Sequence, residues 1–291
     1  MNQIILKAFA KINIGLRVLR SRPDGYHDIE TLLQNVSLYD RITLEKGKIT
    51  EIRGTSAQIP TDGANICWQA IELLQQETGR ELNCRITIEK NVPVGAGLGG
   101  GSSDGAATLW GANRLWGLGL PIADLERLAL GLGSDVPFFL RGGSALAQGR
   151  GEILSTVDLS IREPILIIYP NFPVSTAWAY KNVSFNLTNR RQTVIFHKFL
   201  KRPITWGFWR QHLRNDFEQV VFSRYPSLAE AKQKFYRLGA LYAGLSGSGS
   251  VLYGIFGDQS QAEKAADLCP REYRAFLTRV VNRGFQRLSV S

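Results

Sequence analysis

Residues 91–110, NVPVGAGLGGGSSDGAATLW, hold the chain's densest group of residues fitted for chemistry. Glycines stand at 95, 97, 99, 100, 101 and 105. Ser102 and Ser103 follow the last run of them, and a helix-like stretch comes next. Glycines let successive backbone N–H groups turn toward one point, and a helix start adds a field that favours negative charge. Such a loop is an anion site. Two nucleotide loops are poor matches. A Walker loop ends in Gly-Lys-Ser/Thr, whereas this one ends Gly101-Ser102-Ser103-Asp104. Gly95 to Gly100 does satisfy G-x-G-x-x-G. A dinucleotide loop, however, joins a first strand to a first helix and needs an acid on a strand end about 20 residues on. Several strand-like runs precede this loop, and LGLPIADLE downstream of it reads as a helix start.

The composition bounds what the loop can serve. With 291 residues, 44% hydrophobic and 21% charged, the chain has material for one large or two ordinary packed domains. A net charge of +10 favours acidic partners: nucleic acid, an anionic membrane or phosphorylated metabolites. Cys67, Cys84 and Cys269 are too far apart for a C-x-x-C pair and read as reduced, partly buried thiols. His27, His197 and His212 are too scattered for a metal cluster. Lys7, Lys11 and Arg17 break the first apolar stretch, and no run approaches a membrane span. The chain therefore reads as cytoplasmic.

The elements that must position the loop follow from periodicity. KINIGLRVL (11–19) alternates, with Ile12, Ile14, Leu16 and Val18 on one face, which predicts a half-buried strand with Lys11 on the solvent face. Residues 41–45, 49–53 and 84–90 are further strands, rich in Ile and Thr. Helices are predicted over 65–78, 102–116 and 121–133, the first ended by Gly79 and the third opened by Pro121. Asn65 reads as an N-cap, Asp135 as a cap or turn residue and Lys90 as an exposed strand end. Beyond a polar stretch near 155–165 come a buried strand at 164–169 and helices at 206–222 and 226–238. A strand, glycine loop and strand at 240–256, a helix at 259–268 and a strand at 273–281 complete the pattern. Strands and helices do not alternate strictly, so the class is α+β, with domains expected at 1–160 and 161–291.

A third kind of loop remains: P-x-G-x-G-L-G followed by small residues, serines and a helix, as in small-molecule kinases. Pro93, Val94, Gly95, Ala96, Gly97, Leu98, Gly99, Gly100, Gly101, Ser102 and Ser103 fit it. AFAKINIGLRV (8–18), DGYHDIETLLQ (24–34), GSDVPFFLRGGSALAQGRGE (133–152) and GLSGSGSVLYGIF (244–256) extend the match. The chain thus resembles the GHMP kinase superfamily. The resemblance implies two α+β domains, an N-terminal ribosomal-protein-S5-like ATP-binding half and a C-terminal ferredoxin-like half, with the site in the cleft. It implies ATP and Mg2+ as cofactors, and Gly95 to Ser103 around the phosphates. It also places Asn65 and Lys90 near the adenosine. Asp135 would be the general base, and Lys11 would favour its ionised form and stabilise charge developing on oxygen.

Gly25-Tyr26-His27 further resembles the branch of the superfamily whose acceptor is a cytidine diphosphate-linked methylerythritol, phosphorylated on its 2-hydroxyl. That likeness implies Tyr26 and His27 at the cytosine, Tyr180 as the second aromatic of a sandwich, and Thr176 and Asn13 on the substrate side. Gly244 to Gly249 would close over the site. This reading calls for a small-molecule partner and for neither nucleic acid nor membrane. Homoserine- or mevalonate-type kinases are the near alternative. A basic RNA-binding protein is the distant one. Its motive is the span from Pro164 to Asn215, which has no Asp or Glu but has Lys181, Arg190, Arg191, Lys198, Lys201, Arg202, Arg210 and Arg214 among aromatics.

Overall fold

β1 (Gln3–Ser21) and β2 (His27–Lys46) pair along almost their whole length as a long antiparallel ribbon, and the first sheet grows from it. The computed structural model describes residues 2–183, 196 and 205–288. The far half of β2 pairs with β4 (Cys84–Glu89), which takes β3 (Glu51–Gly54) alongside it in parallel. The near half of β2 pairs with β5 (Ser144–Gly149), which carries β6 (Ile153–Thr156). Helices α1 (Ile66–Thr78), α2 (Gly100–Trp116), α3 (Ile122–Leu132) and α4 (Val136–Arg141) belong to this half. Side chains such as Leu6, Leu44, Ile71 and Leu109 form its core.

The second sheet holds β7 (Ile165–Tyr169), β8 (Ala240–Leu245), β9 (Leu252–Phe256) and β10 (Arg274–Thr278), all antiparallel, in the order β10-β7-β9-β8. Helices α5 (Thr176–Asn182), α6 (Trp206–His212), α7 (Phe217–Arg224) and α8 (Pro226–Arg237) come between β7 and β8. α9 (Gln259–Asp267) comes between β9 and β10. Helices between the first and second strands and between the third and fourth, on this strand order, make the unit ferredoxin-like. β11 (Phe285–Leu288) then leaves it and pairs with the outer edge of β1, so the first sheet draws in residues well past 160.

Three expectations change. β1 is half-buried only at its start; from Phe9 to Leu16 every residue is buried. The second sheet covers the Ile12–Ile14 face, and the glycine loop lies over the other, its Gly99 against the Lys11 stem. Ile12 and Ile14 share a core with Ile165, Ile167 and Tyr253, and the Tyr253 hydroxyl donates to the Asn13 carbonyl at 2.9 Å. Lys11 is therefore an interior residue. Second, α2 begins at Gly100, ahead of the predicted start at Ser102, and its cap is Gly99. Third, the helix expected over 206–222 is two helices. The break carries Asn215, which bridges to Leu16 of β1, so a tertiary contact overrides helical periodicity there.

In the basic stretch, Arg190, Arg191, Lys198, Lys201 and Arg202 lie outside the described residues. Phe196 and Trp209 are buried in the core between the sheets, with Trp206 and Phe208 packed against it. The described aromatics therefore serve packing rather than a stacking face for bases. Cys67 and Cys84 are buried free thiols, and burial pushes both up, Cys84 to about 12, so they stay protonated.

Candidate active site

A cavity of about 1060 Å³ opens between the halves, with the glycine loop as one wall. Gly97 holds φ at +85°, and a Cβ there would stand 2.0 Å from the Ser246 carbonyl oxygen. Only glycine permits that approach. Gly99, at φ +67°, is also closed to a side chain, because the Phe139 ring and the Lys11 stem lie across it. No side chain caps α2, and Gly100, Gly101 and Ser102 border the cavity. The free first-turn N–H groups of a helix favour an anion in that space. Pro93 through Leu98 also line it. Ser103 does not: it is fully buried, and its hydroxyl donates to the Phe9 carbonyl at 2.7 Å. The phosphate role expected for that side chain has no geometric support.

Lys11 enters from β1 just after a bulge at Phe9–Lys11, a device that re-aims a side chain. Its N–H donates to the Leu98 carbonyl at 2.9 Å, fixing strand to loop. Its Nζ donates to Asn13 Oδ1 at 2.6 Å and lies 3.6 Å from Asp135 Oδ2. Asn13 is oriented in turn, its Nδ2 donating to Thr31 Oγ1 at 3.1 Å. The Lys11 side chain is 6% exposed and that of Asp135 37%, so the ammonium backs a carboxylate that faces the cavity. Asp135 precedes α4 but caps nothing with its side chain, which leaves both oxygens for chemistry. A hydroxyl placed at this carboxylate, beside an amide-lined anion pocket, can be deprotonated next to a phosphoryl group.

Aromatic rings close the opposite end. His27 and Tyr180 stack with centroids 4.8 Å apart and planes at 24°, and Phe217 meets Tyr180 edge-on. Burial, with the Asp135 charge adding to it, pushes the Tyr180 hydroxyl up to about 12. Tyr26, expected with His27 at the cytosine, also lines the cavity; it stands 55% exposed with the Arg150 guanidinium 4.9 Å from its ring centre. Thr176 Oγ1 and Ser248 Oγ are 2.9 Å apart where the Gly244–Gly249 turn meets α5.

Asn65 and Lys90 border the cavity with their polar groups already engaged. Asn65 caps α1, its Oδ1 accepting from the Cys67 N–H at 2.9 Å while its Nδ2 donates to the Pro60 carbonyl at 2.7 Å. The Lys90 side chain is only 7% exposed, not an exposed strand end. Its Nζ bridges Asp40 Oδ2 at 2.5 Å and Asp104 Oδ2 at 2.7 Å. Burial opposes its charge, but the two carboxylates outweigh that and hold its pKa up. Burial also lifts the Asp104 carboxyl well above the usual range against the pull of Lys90. The triad ties β2 to the first turn of α2 beneath the glycine loop. Removing the single cation would strand two buried carboxylates, so Lys90→Met is expected to cost about 3–5 kcal/mol in chemical unfolding. Asp104→Leu on that background should recover part of the loss; a single-mutant loss below about 1 kcal/mol would show that the triad does not hold the loop.

Sequence reasoning passed over Asp40, Asp104, Arg150 and Asn215. Only Arg150 carried a local signal, as the lone charge in the small-residue run of AQGRG. The others are defined by partners at least 14 residues away in sequence.

The family model described as GHMP kinases N terminal domain matches residues 65–143, and that described as GHMP kinases C terminal matches 204–275. The chain belongs to the GHMP kinases. Within that family it is similar to the 4-diphosphocytidyl-2-C-methyl-D-erythritol kinase of Chlorobium chlorochromatii (strain CaD3), with 42% identity over 94% of this chain and 95% of the relative. The enzyme of that name from Geobacter metallireducens (strain ATCC 53774 / DSM 7210 / GS-15) is also 42% identical, over 91% and 94%. A crystal structure of 4-(cytidine 5'-diphospho)-2C-methyl-D-erythritol kinase superposes with a TM-score of 0.80 at 31% identity, covering 95% of this chain and 98% of that one. A homoserine kinase from Cytophaga hutchinsonii ATCC 33406 shares the fold, with a TM-score of 0.74 at 18% identity over 99% and 98%.

Proposed function

We propose that the chain transfers the γ-phosphoryl group of ATP to the 2-hydroxyl of 4-diphosphocytidyl-2-C-methyl-D-erythritol, forming the 2-phosphate and ADP. The observation that carries this reading is the Asp135–Lys11–Asn13 cluster set between an anion loop and an aromatic end within one cavity. The loop amides of Gly95 to Ser102 hold the triphosphate. Asp135 accepts the hydroxyl proton, the freed oxygen attacks the γ-phosphorus, and the bond to the β,γ-bridging oxygen breaks toward ADP. Lys11 sits where negative charge builds on the attacking oxygen. Asn13 keeps the ammonium aimed. Mg2+ bound with the triphosphate supplies charge neutralisation, and Ser102, the loop serine that borders the cavity, would be its protein oxygen donor. The change from the first sheet to the second, apart from β11, supports a domain boundary near residue 160.

The aromatic end distinguishes this acceptor from those of other GHMP kinases. Tyr180 offers a face on which a pyrimidine stacks once His27 yields it, and His27 then meets the base edge. Base stacking is worth about 1–3 kcal/mol, so Tyr180→Ala is expected to raise the acceptor KM about 5- to 150-fold and leave the ATP KM unchanged. A coupled ADP-release assay over the diphosphocytidyl alcohol, homoserine and mevalonate tests the assignment. Turnover is expected with the first alone; turnover with either of the others in its place would overturn it.

A further inference from the structure

Residues 214–218, running from the α6–α7 connection into the first turn of α7, supply only Phe217 to the cavity wall. Their polar groups instead converge on β1 and on the Gly244–Gly249 turn. The Leu16 N–H donates to the Arg214 carbonyl at 3.0 Å, and the Asp216 N–H donates to the Leu16 carbonyl at 2.8 Å. Asp216 Oδ2 accepts from the Val18 N–H at 2.8 Å. The segment is thus laced to the strand that bears Lys11 and Asn13. Its side chains then reach the turn. Asn215, 4% exposed, donates from one amide nitrogen to the carbonyls of Leu245 at 2.9 Å and Gly247 at 2.8 Å, while its Oδ1 accepts from the Phe217 N–H at 2.9 Å. Glu218, itself held by Lys232, accepts from the Leu245 N–H at 3.1 Å.

The turn so held grips the reacting groups. Ser246 Oγ donates to the Gly97 carbonyl at 2.8 Å and accepts from the Asn13 N–H at 3.2 Å, joining the phosphate loop to the strand behind the acceptor. Gly247 lies against Gly97 and Asn13 Oδ1, the atom that orients the Lys11 ammonium. One amide therefore sets the height of a turn on which the loop, Asn13 and Lys11 all rest. We infer that Asn215 is a positioning residue for phosphoryl transfer, acting through the Gly244–Gly249 turn; this rests on the function proposed above.

Small misplacements of reacting groups cost as much as about 100-fold in rate. Asn215→Ala is expected to lower kcat about 10- to 100-fold with the ATP KM within about twofold of the parent. It should also speed amide exchange in both 244–249 and 95–101. Asn215→Asp separates positioning from simple folding. Its shape is kept, but an ionised carboxylate opposes two carbonyl oxygens, whereas the protonated acid donates to one of them. Burial favours that neutral form. The ratio of variant to parent kcat should therefore rise as pH falls from 8 to 6. A kcat within twofold of the parent for folded Asn215→Ala, or a pH-independent ratio for Asn215→Asp, would overturn the inference. A parent protein inactive on the diphosphocytidyl alcohol would instead overturn the proposed function.

Discussion

Asp135→Asn keeps nucleotide binding and loses roughly 10²–10⁴-fold in kcat, the range supplied by one general base. The amide fills the same volume and leaves the glycine loop untouched, but it cannot take a proton. Because the Asp135 side chain caps no helix, the substitution removes no structural hydrogen bond, and thermal stability should stay near that of the parent. Isothermal titration with a non-hydrolysable ATP analogue and single-turnover kinetics separate the two quantities. Near-parent turnover would remove Asp135 from the chemistry. Weakened nucleotide binding with a normal single-turnover rate would make it a binding residue instead.

Lys11→Met should lower kcat by about 10²–10³-fold, the usual cost of losing one donor to a developing oxyanion. Methionine keeps most of the apolar stem that crosses Gly99, so the wall retains its shape. It leaves Asn13 Oδ1 without the ammonium it accepts from at 2.6 Å, and Asp135 without a cation at 3.6 Å. Lys11→Arg should fare little better. The ammonium sits as a point charge between Asn13 Oδ1 and Asp135 Oδ2, a placement that a planar five-donor fork does not reproduce. Both variants should retain ATP binding, which belongs to the loop amides. A loss smaller than about threefold in a folded Lys11→Met enzyme would place the charge stabilisation elsewhere.

The parts of this site that were legible in sequence are those written locally. Helix α1, its Asn65 cap and its Gly79 terminus are stated within fifteen residues, and the structure has the helix there, with Gly79 in the left-handed region. The glycine loop is likewise a local signal, since glycines at positive φ leave a compositional trace. What stayed hidden depends on the meeting of distant segments. Alternation in KINIGLRVL implied a wet face for Lys11, because periodicity cannot see the glycine loop folding back over that face. Helical spacing over 206–222 could not show that Asn215 leaves the helix to bridge Leu16. Lys90 looked exposed because its neutralising partners, Asp40 and Asp104, lie 50 and 14 residues away. Ser103 matched the loop pattern, yet helical geometry turns its hydroxyl inward to Phe9.

β11 gives the chain an ordering in time. The strand that presents Lys11 and Asn13 is made long before the segment that covers its outer edge from Ile5 to Ala8: Phe285–Leu288 pairs there, with the Gly284 carbonyl accepting from the Phe9 N–H at 2.8 Å. Until those residues leave the ribosome, the edge of β1 is open backbone able to recruit any extended peptide. The turn that seats Asn13 is also made late. A chain made only as far as β7 therefore carries the phosphate loop without the turn that seats Asn13, and catalytic competence waits for the second sheet.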